Sequence, residues 1–152
     1  MIGLTIIGGL ITSAVFTVII LASWRLSPTA WLADVTKGEV PTPRTPANVA
    51  WFVLIVLSLV GGAMVTAWLA ATEYDAGFFA RFAAAWVVVA ILNLVDLVVI
   101  DIAIYLWMRP SWMSIEGYEM PTDYRMHVAG ALTGLAIGIP VGLVAATVSL
   151  LA

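Results

Sequence analysis

Residues 86–107 form a long apolar run interrupted by only three polar side chains of consequence: Asn93, Asp96 and Asp101. About 20 consecutive apolar residues cross a bilayer as a helix, and the distance from Trp86 to Trp107 is about 32 Å at 1.5 Å per residue. That matches a hydrocarbon core of about 30 Å. In lipid every backbone N–H and C=O must be satisfied internally, which leaves helices as the natural solution for such a run.

Three further stretches have the same character. The expected spans are about 2–24, 49–71, 82–107 and 126–150. With 63% hydrophobic and 10% charged residues, against about 25% charged in soluble domains, the chain is expected to be one all-α integral membrane domain, a four-helix bundle. It contains no cysteine, which excludes thiol chemistry, disulfides and thiolate metal ligation. A net charge of −3 without a basic cluster excludes a nucleic-acid surface. Met1 is followed directly by apolar residues with no Ala-x-Ala cleavage pattern, so the first stretch reads as a retained span.

Arg25, Lys37 and Arg44 fall between spans one and two, and Arg109 and Arg125 between spans three and four. Arg81 alone, of the six basic residues, lies near the second connection. The positive-inside rule then puts the two longer loops in the cytoplasm of an inner-membrane, multi-pass protein, with both termini outside.

Within the first loop, Ser27 suits an N-cap, Pro28 the first helical position and Gly38 the stop. Trp31, Leu32 and Val35 share a side, predicting a short interfacial helix. Pro41, Pro43 and Pro46 continue as an extended connector. The second loop, acidic and aromatic, carries Glu116, Tyr118, Glu119 and Asp123, with turns expected at Gly117 and Pro121.

Asp96 lies almost midway between Trp86 and Trp107, the costliest depth for a carboxylate. Asp101 follows about 7.5 Å nearer the cytoplasm. Asn93 shares a face with Asp96. At 100° per residue Asp101 is rotated about 140° from Asp96, so the two acids are expected to point into different contacts or a wide polar cavity. Thr12, Ser13 and Ser58 lie at similar depth on other spans. Pro140 frees the carbonyl of Ala136. Together these groups suggest one polar layer across the bundle. No arginine or lysine lies at matching depth, so no internal salt bridge is expected.

Three uses of the acids compete. They form a proton or cation pathway with Asn93 and the hydroxyls as relays; they are protonated and bind neighbouring helices by hydrogen bonds; or they pair with a charge on another subunit. On the last span Gly130, Gly134, Gly138 and Gly142 recur every four residues, a small-xxx-small seam for close helix approach within the chain or between subunits. His127, the only histidine, is the one weak metal candidate; near Glu116, Glu119 and Asp123 at the membrane surface it is expected to be solvated.

No catalytic set is legible. Intramembrane aspartyl proteases need one Asp on each of two helices, and both acids here sit on one. No cofactor motif is present. The leading expectation is a small oligomeric proton or cation pathway in the lipid bilayer. The alternative is an accessory or assembly subunit, a scaffold or lipid-binding element of a larger membrane complex, with either a homo-oligomer or another membrane protein as partner.

Pro28-x-x-Trp31-Leu32-x-Asp34, Asn93-Leu-x-Asp96-Leu-x-x-x-Asp101, Pro110, Gly117-x-Glu119 and Asp123-Tyr124-x-x-His127 together resemble a group of small bacterial four-span membrane proteins of uncharacterised function. The resemblance covers the first loop and most of residues 93–127. Members often carry Gly-Thr-Glu where this chain has Gly117-Tyr118-Glu119. It implies four spans and two cytoplasmic loops, and no assigned activity.

Overall fold

The computed structural model describes residues 1–36, 39–119 and 122–151. The expected stop at Gly38, Lys37 and the turn at Pro121 lie outside the described residues. Four helices are long and apolar enough to cross a membrane, and they form an all-α bundle. In chain order they are α1 (Ile2–Leu26), α3 (Pro46–Tyr74), α4 (Phe78–Val95, continuing to Met108) and α5 (Tyr124–Val148). Between α1 and α3 a 3₁₀ turn, Pro28–Trp31, runs into the single turn α2 (Leu32–Val35).

Helix boundaries follow local chemistry. Thr45 caps α3 by accepting from the Asn48 N–H at 3.2 Å, with Pro46 at the first helical position, where its missing N–H costs nothing. Asp75 ends α3 at φ 46°, a left-handed conformation that Asp tolerates better than most residues. Arg81 then donates to Ala76 O and, at 2.7 Å, to Ser149 O, tying the α3–α4 turn to the last turn of the chain.

Helix α4 is central: it packs on α5, α1 and α3, while α1 also meets α3 and α3 meets α5. Helices α1 and α5 thus occupy the diagonal. The two halves of the bundle are built differently. Toward the α3–α4 turn the interior is small: Ala63, Ala67, Ala85, Val89 and Ala145. Toward the two longer loops it is bulky, with Phe16, Ile20, Trp24, Leu92, Ile100, Tyr105 and Met113.

The glycine seam belongs to the small-residue half. A Cβ on Gly134 would run into the Asn93 side chain, one on Gly138 would lie 3.0 Å from Val89 and 3.2 Å from Trp86, and one on Gly142 would lie 3.1 Å from Phe82. At these three glycines the seam lets α4 of the same chain approach α5. Gly130 is different: a Cβ there would meet nothing within 4 Å. Trp86, taken from the sequence as a depth marker, is half-buried against this seam and donates its Nε1–H to Leu135 O at 3.3 Å. That carbonyl adjoins Ala136 O, which Pro140 leaves without its helical donor.

The first loop is latched to the bundle. Ser27 does not cap the following turn with its side chain. Its hydroxyl donates to Asn48 Oδ1 at 2.6 Å, and Asn48 Nδ2 donates to Pro43 O at 2.8 Å. A buried polar group needs such partners, and here the need joins the end of α1 to the start of α3. Leu32 and Val35 are buried, so α2 lies against the bundle end.

Candidate functional site

The decisive local feature is the second half of α4. From Asp96 to Met108, 13 residues, the helix is π-wound: each N–H reaches back five residues rather than four. Arg109 closes the run by donating its N–H to Ile104 O at 2.9 Å and turning left-handed at φ 44°. In this wider winding residues five apart come closer to a common face than they do in an α-helix. The buried positions of the segment, Ile100 and Tyr105, are five apart, and so are Asp96 and Asp101. The expected rotation of about 140° assumed 100° per residue throughout; the wider winding brings both carboxylates to the same cavity. Runs of π-helix usually last one turn and recur at functional sites.

That cavity has a volume of about 320 Å³ and lies between α1, α4 and α5, on the bundle diagonal in its bulky half. Asp96, Asp101, Tyr105 and His127 line it, with Trp24 and Trp31 opposite. His127 Nδ1 lies 3.1 Å from Asp101 Oδ1, with side-chain exposures of 10% and 24%. The expected solvated histidine is thus withdrawn into the bundle and joined to an acid. It sits on the first turn of α5, whose inward face meets the π-wound part of α4. An ion pair forms there whenever His127 is protonated, without any arginine or lysine. The Asp96 carboxylate is half-buried, and among the described residues none hydrogen-bonds it.

Aromatic contacts run from His127 outward. Its ring meets Tyr105 edge-on at 5.1 Å; Tyr105 meets Trp24 at 5.8 Å; Trp24 stacks on Trp31 at 5.3 Å and 5°. Trp31 Nε1 donates to Ser23 Oγ at 3.0 Å. The first loop is in this way a wall of the cavity. A second cavity, about 550 Å³, lies on the far side of the same wall: Trp31 and Ile55 line both, and Arg44, Trp51 and Phe52 line the second alone.

The rest of the expected polar layer does not converge here. Asn93 donates to Val89 O at 2.9 Å and is pressed against Gly134. Ser13 donates to Gly9 O at 2.7 Å and Ser58 to Ile55 O at 2.8 Å. Thr12 is buried against Gly62. None of the four lines the cavity. The reason is general: a serine or asparagine inside a helix finds its own i−3 or i−4 carbonyl before it finds another helix. Gly130 does line the cavity, where its missing side chain leaves room. Trp24 and Tyr105 were not singled out from the sequence; Tyr105, four residues beyond Asp101, carried a signal only once the winding was known.

Among the described residues no three His, Asp or Glu groups gather closely enough to hold a metal ion. Asp101 and His127 are a pair, and Asp96 adds a carboxylate further along the same wall. The chemistry within reach is acceptance and release of a proton, or attraction of a positive charge into an aromatic pocket.

Comparison with protein-family models, curated proteins and solved structures finds no match to this chain.

Proposed function

We propose that this multi-pass membrane protein takes up protons or a cation through Asp96 and Asp101, from the side that carries its two longer loops. The observation that carries the reading is the shared cavity: two carboxylates on one π-wound face, one of them bonded to His127 and the other without a hydrogen bond to the described protein. Ionisable groups in a bilayer cost about 2.5–3.5 kcal/mol each on insertion scales, and a bound positive species offsets that cost.

The reading includes a division of labour. The loop-bearing half holds the site. The opposite half is closed by Ala63, Ala67, Ala85, Val89 and Ala145 and by the glycine seam, so a single chain offers access from one side. Completing a route across the membrane then calls for a second copy or for separation of α4 from α5. The excess of basic residues in the two longer loops, Arg25, Lys37, Arg44, Arg109 and Arg125 against Arg81, supports a cytoplasmic side for that end under the positive-inside rule.

The accessory-subunit reading drew its motive from the glycine seam. Gly134, Gly138 and Gly142 pack against α4 of the same chain, while Gly130 stays open; the absence of a legible catalytic set, its second motive, stands unchanged.

Proton or potassium flux into liposomes holding the wild type, Asp96→Asn or Asp101→Asn tests the proposal. The expected result is flux above empty vesicles that falls at least tenfold in either variant. Equal flux in all three, or none above empty vesicles, overturns it.

A further inference from the structure

The geometry points to a small organic cation, an alkylated ammonium, as the species this cavity takes, its positive centre beside Asp96 and its apolar substituents against Trp24 and Trp31. The inference rests on the cation-uptake reading and narrows it to a ligand class.

Size comes first. At about 320 Å³ the cavity is far larger than a bare ion needs and sits at the lower end of the range for small-molecule sites. The donor set comes second. Hard divalent cations collect about six or more oxygen ligands, whereas two carboxylates face this space and one is already joined to His127. An ammonium whose hydrogens are replaced by alkyl groups does not need a ring of oxygens. It needs a nearby negative charge and polarisable walls.

Both are present. The aromatic residues of the wall are linked ring to ring, Trp31 on Trp24 on Tyr105, and among the described lining residues there is no lysine or arginine to repel a cation. A cation over the face of an aromatic ring, within about 6 Å of its centroid, is attracted by the ring quadrupole, more strongly when desolvated. The Asp96 carboxylate, without a hydrogen bond from the described protein, is the charge left to meet it. Gly130 on the neighbouring helix α5 leaves the volume open, since a Cβ there would touch nothing within 4 Å.

The test uses full-length protein in nanodiscs and isothermal titration with three probes: choline, benzyltrimethylammonium and 3,3-dimethylbutan-1-ol, the uncharged shape-mimic of choline. The expected result is saturable binding of both cations and none of the alcohol. Asp96→Asn is expected to weaken cation binding at least tenfold, and Trp31→Leu several-fold while Trp31→Phe stays near wild type. The comparison of choline with its neutral mimic needs only the wild type, so a variant that fails to fold does not rescue the idea. Equal binding of the alcohol and choline overturns it, as does absence of cation binding. If neither cation binds while Asp96-dependent proton flux persists, the ligand class is wrong and the uptake reading stands. If flux is also absent, both fall.

Discussion

Asp101 on the π-wound half of α4 and His127 on the first turn of α5 lie 3.1 Å apart, carboxylate oxygen to imidazole nitrogen. The contact joins the helix that holds both acids to its neighbour α5, at the level of the cavity. It gives the site a second strand of chain and fixes one of its two carboxylates.

The pair is expected to be coupled. His127→Ala leaves Asp101 without its imidazole and lowers stability by about 1–3 kcal/mol, the cost of stranding a buried polar partner. A double-mutant cycle with Asp101→Asn, read from thermal unfolding in detergent, should return a coupling of about 0.5–3 kcal/mol. Additive single effects would mean that the two side chains do not act on each other.

Much of this pair was beyond reach from sequence. The spacing between Asp123 and His127 put the histidine near the membrane surface, but nothing local says which way the first turn of α5 faces. The four helices were legible because a bilayer forces them from composition alone, and the apolar runs are long. The site was half legible. Asp96 and Asp101 were marked by their cost in an apolar helix, yet their relation to each other depended on winding. A run of Asp-Leu-Val-Val-Ile-Asp reads equally well at 3.6 residues per turn, and only the tertiary setting selects the wider form. The same limit applies to Asn93, Thr12, Ser13 and Ser58: depth along a helix was readable, facing was not.

The glycines of α5 are expected to respond unequally. Gly134→Ala puts a Cβ into the Asn93 side chain and should cost about 1–3 kcal/mol, the usual penalty for overfilling a close contact. Asn93→Ala should recover most of that loss. Gly130→Ala, with open space around it, should leave the melting temperature unchanged. Thermal melts of the four variants check this; an equal loss at Gly130 and Gly134 would contradict the assigned register of α4 on α5.

The latch between Ser27 and Asn48 predicts a local effect. Asn48→Ala removes the acceptor of the Ser27 hydroxyl and the donor to Pro43 O, at a cost of about 1–3 kcal/mol. Because that link holds the loop that carries Trp31, amide exchange over residues 28–35 should speed up at least tenfold, while residues 84–89 in the small-residue half stay protected. Uniform acceleration across both segments would point to global loosening instead.

Sidedness is open to a direct check because the chain has no cysteine. Glu39→Cys and Asp75→Cys fall in exposed connections at opposite ends of the bundle. In intact bacterial cells a membrane-impermeant maleimide should label the cysteine at 75 and spare the one at 39, until the membrane is opened. The reverse pattern would invert the orientation drawn from Arg25, Arg44, Arg109 and Arg125.

The measurement closest to the central claim is infrared difference spectroscopy of the reconstituted protein between acidic and neutral buffer, reading the carbonyl stretch of protonated carboxyl groups. The account predicts a band that loses intensity in Asp96→Asn and disappears in the Asp96→Asn, Asp101→Asn double variant, with a shift when His127 is replaced. A difference spectrum identical in the wild type and the double variant would mean that the acids of α4 do not exchange protons, and the proton-uptake role assigned to the cavity would be contradicted.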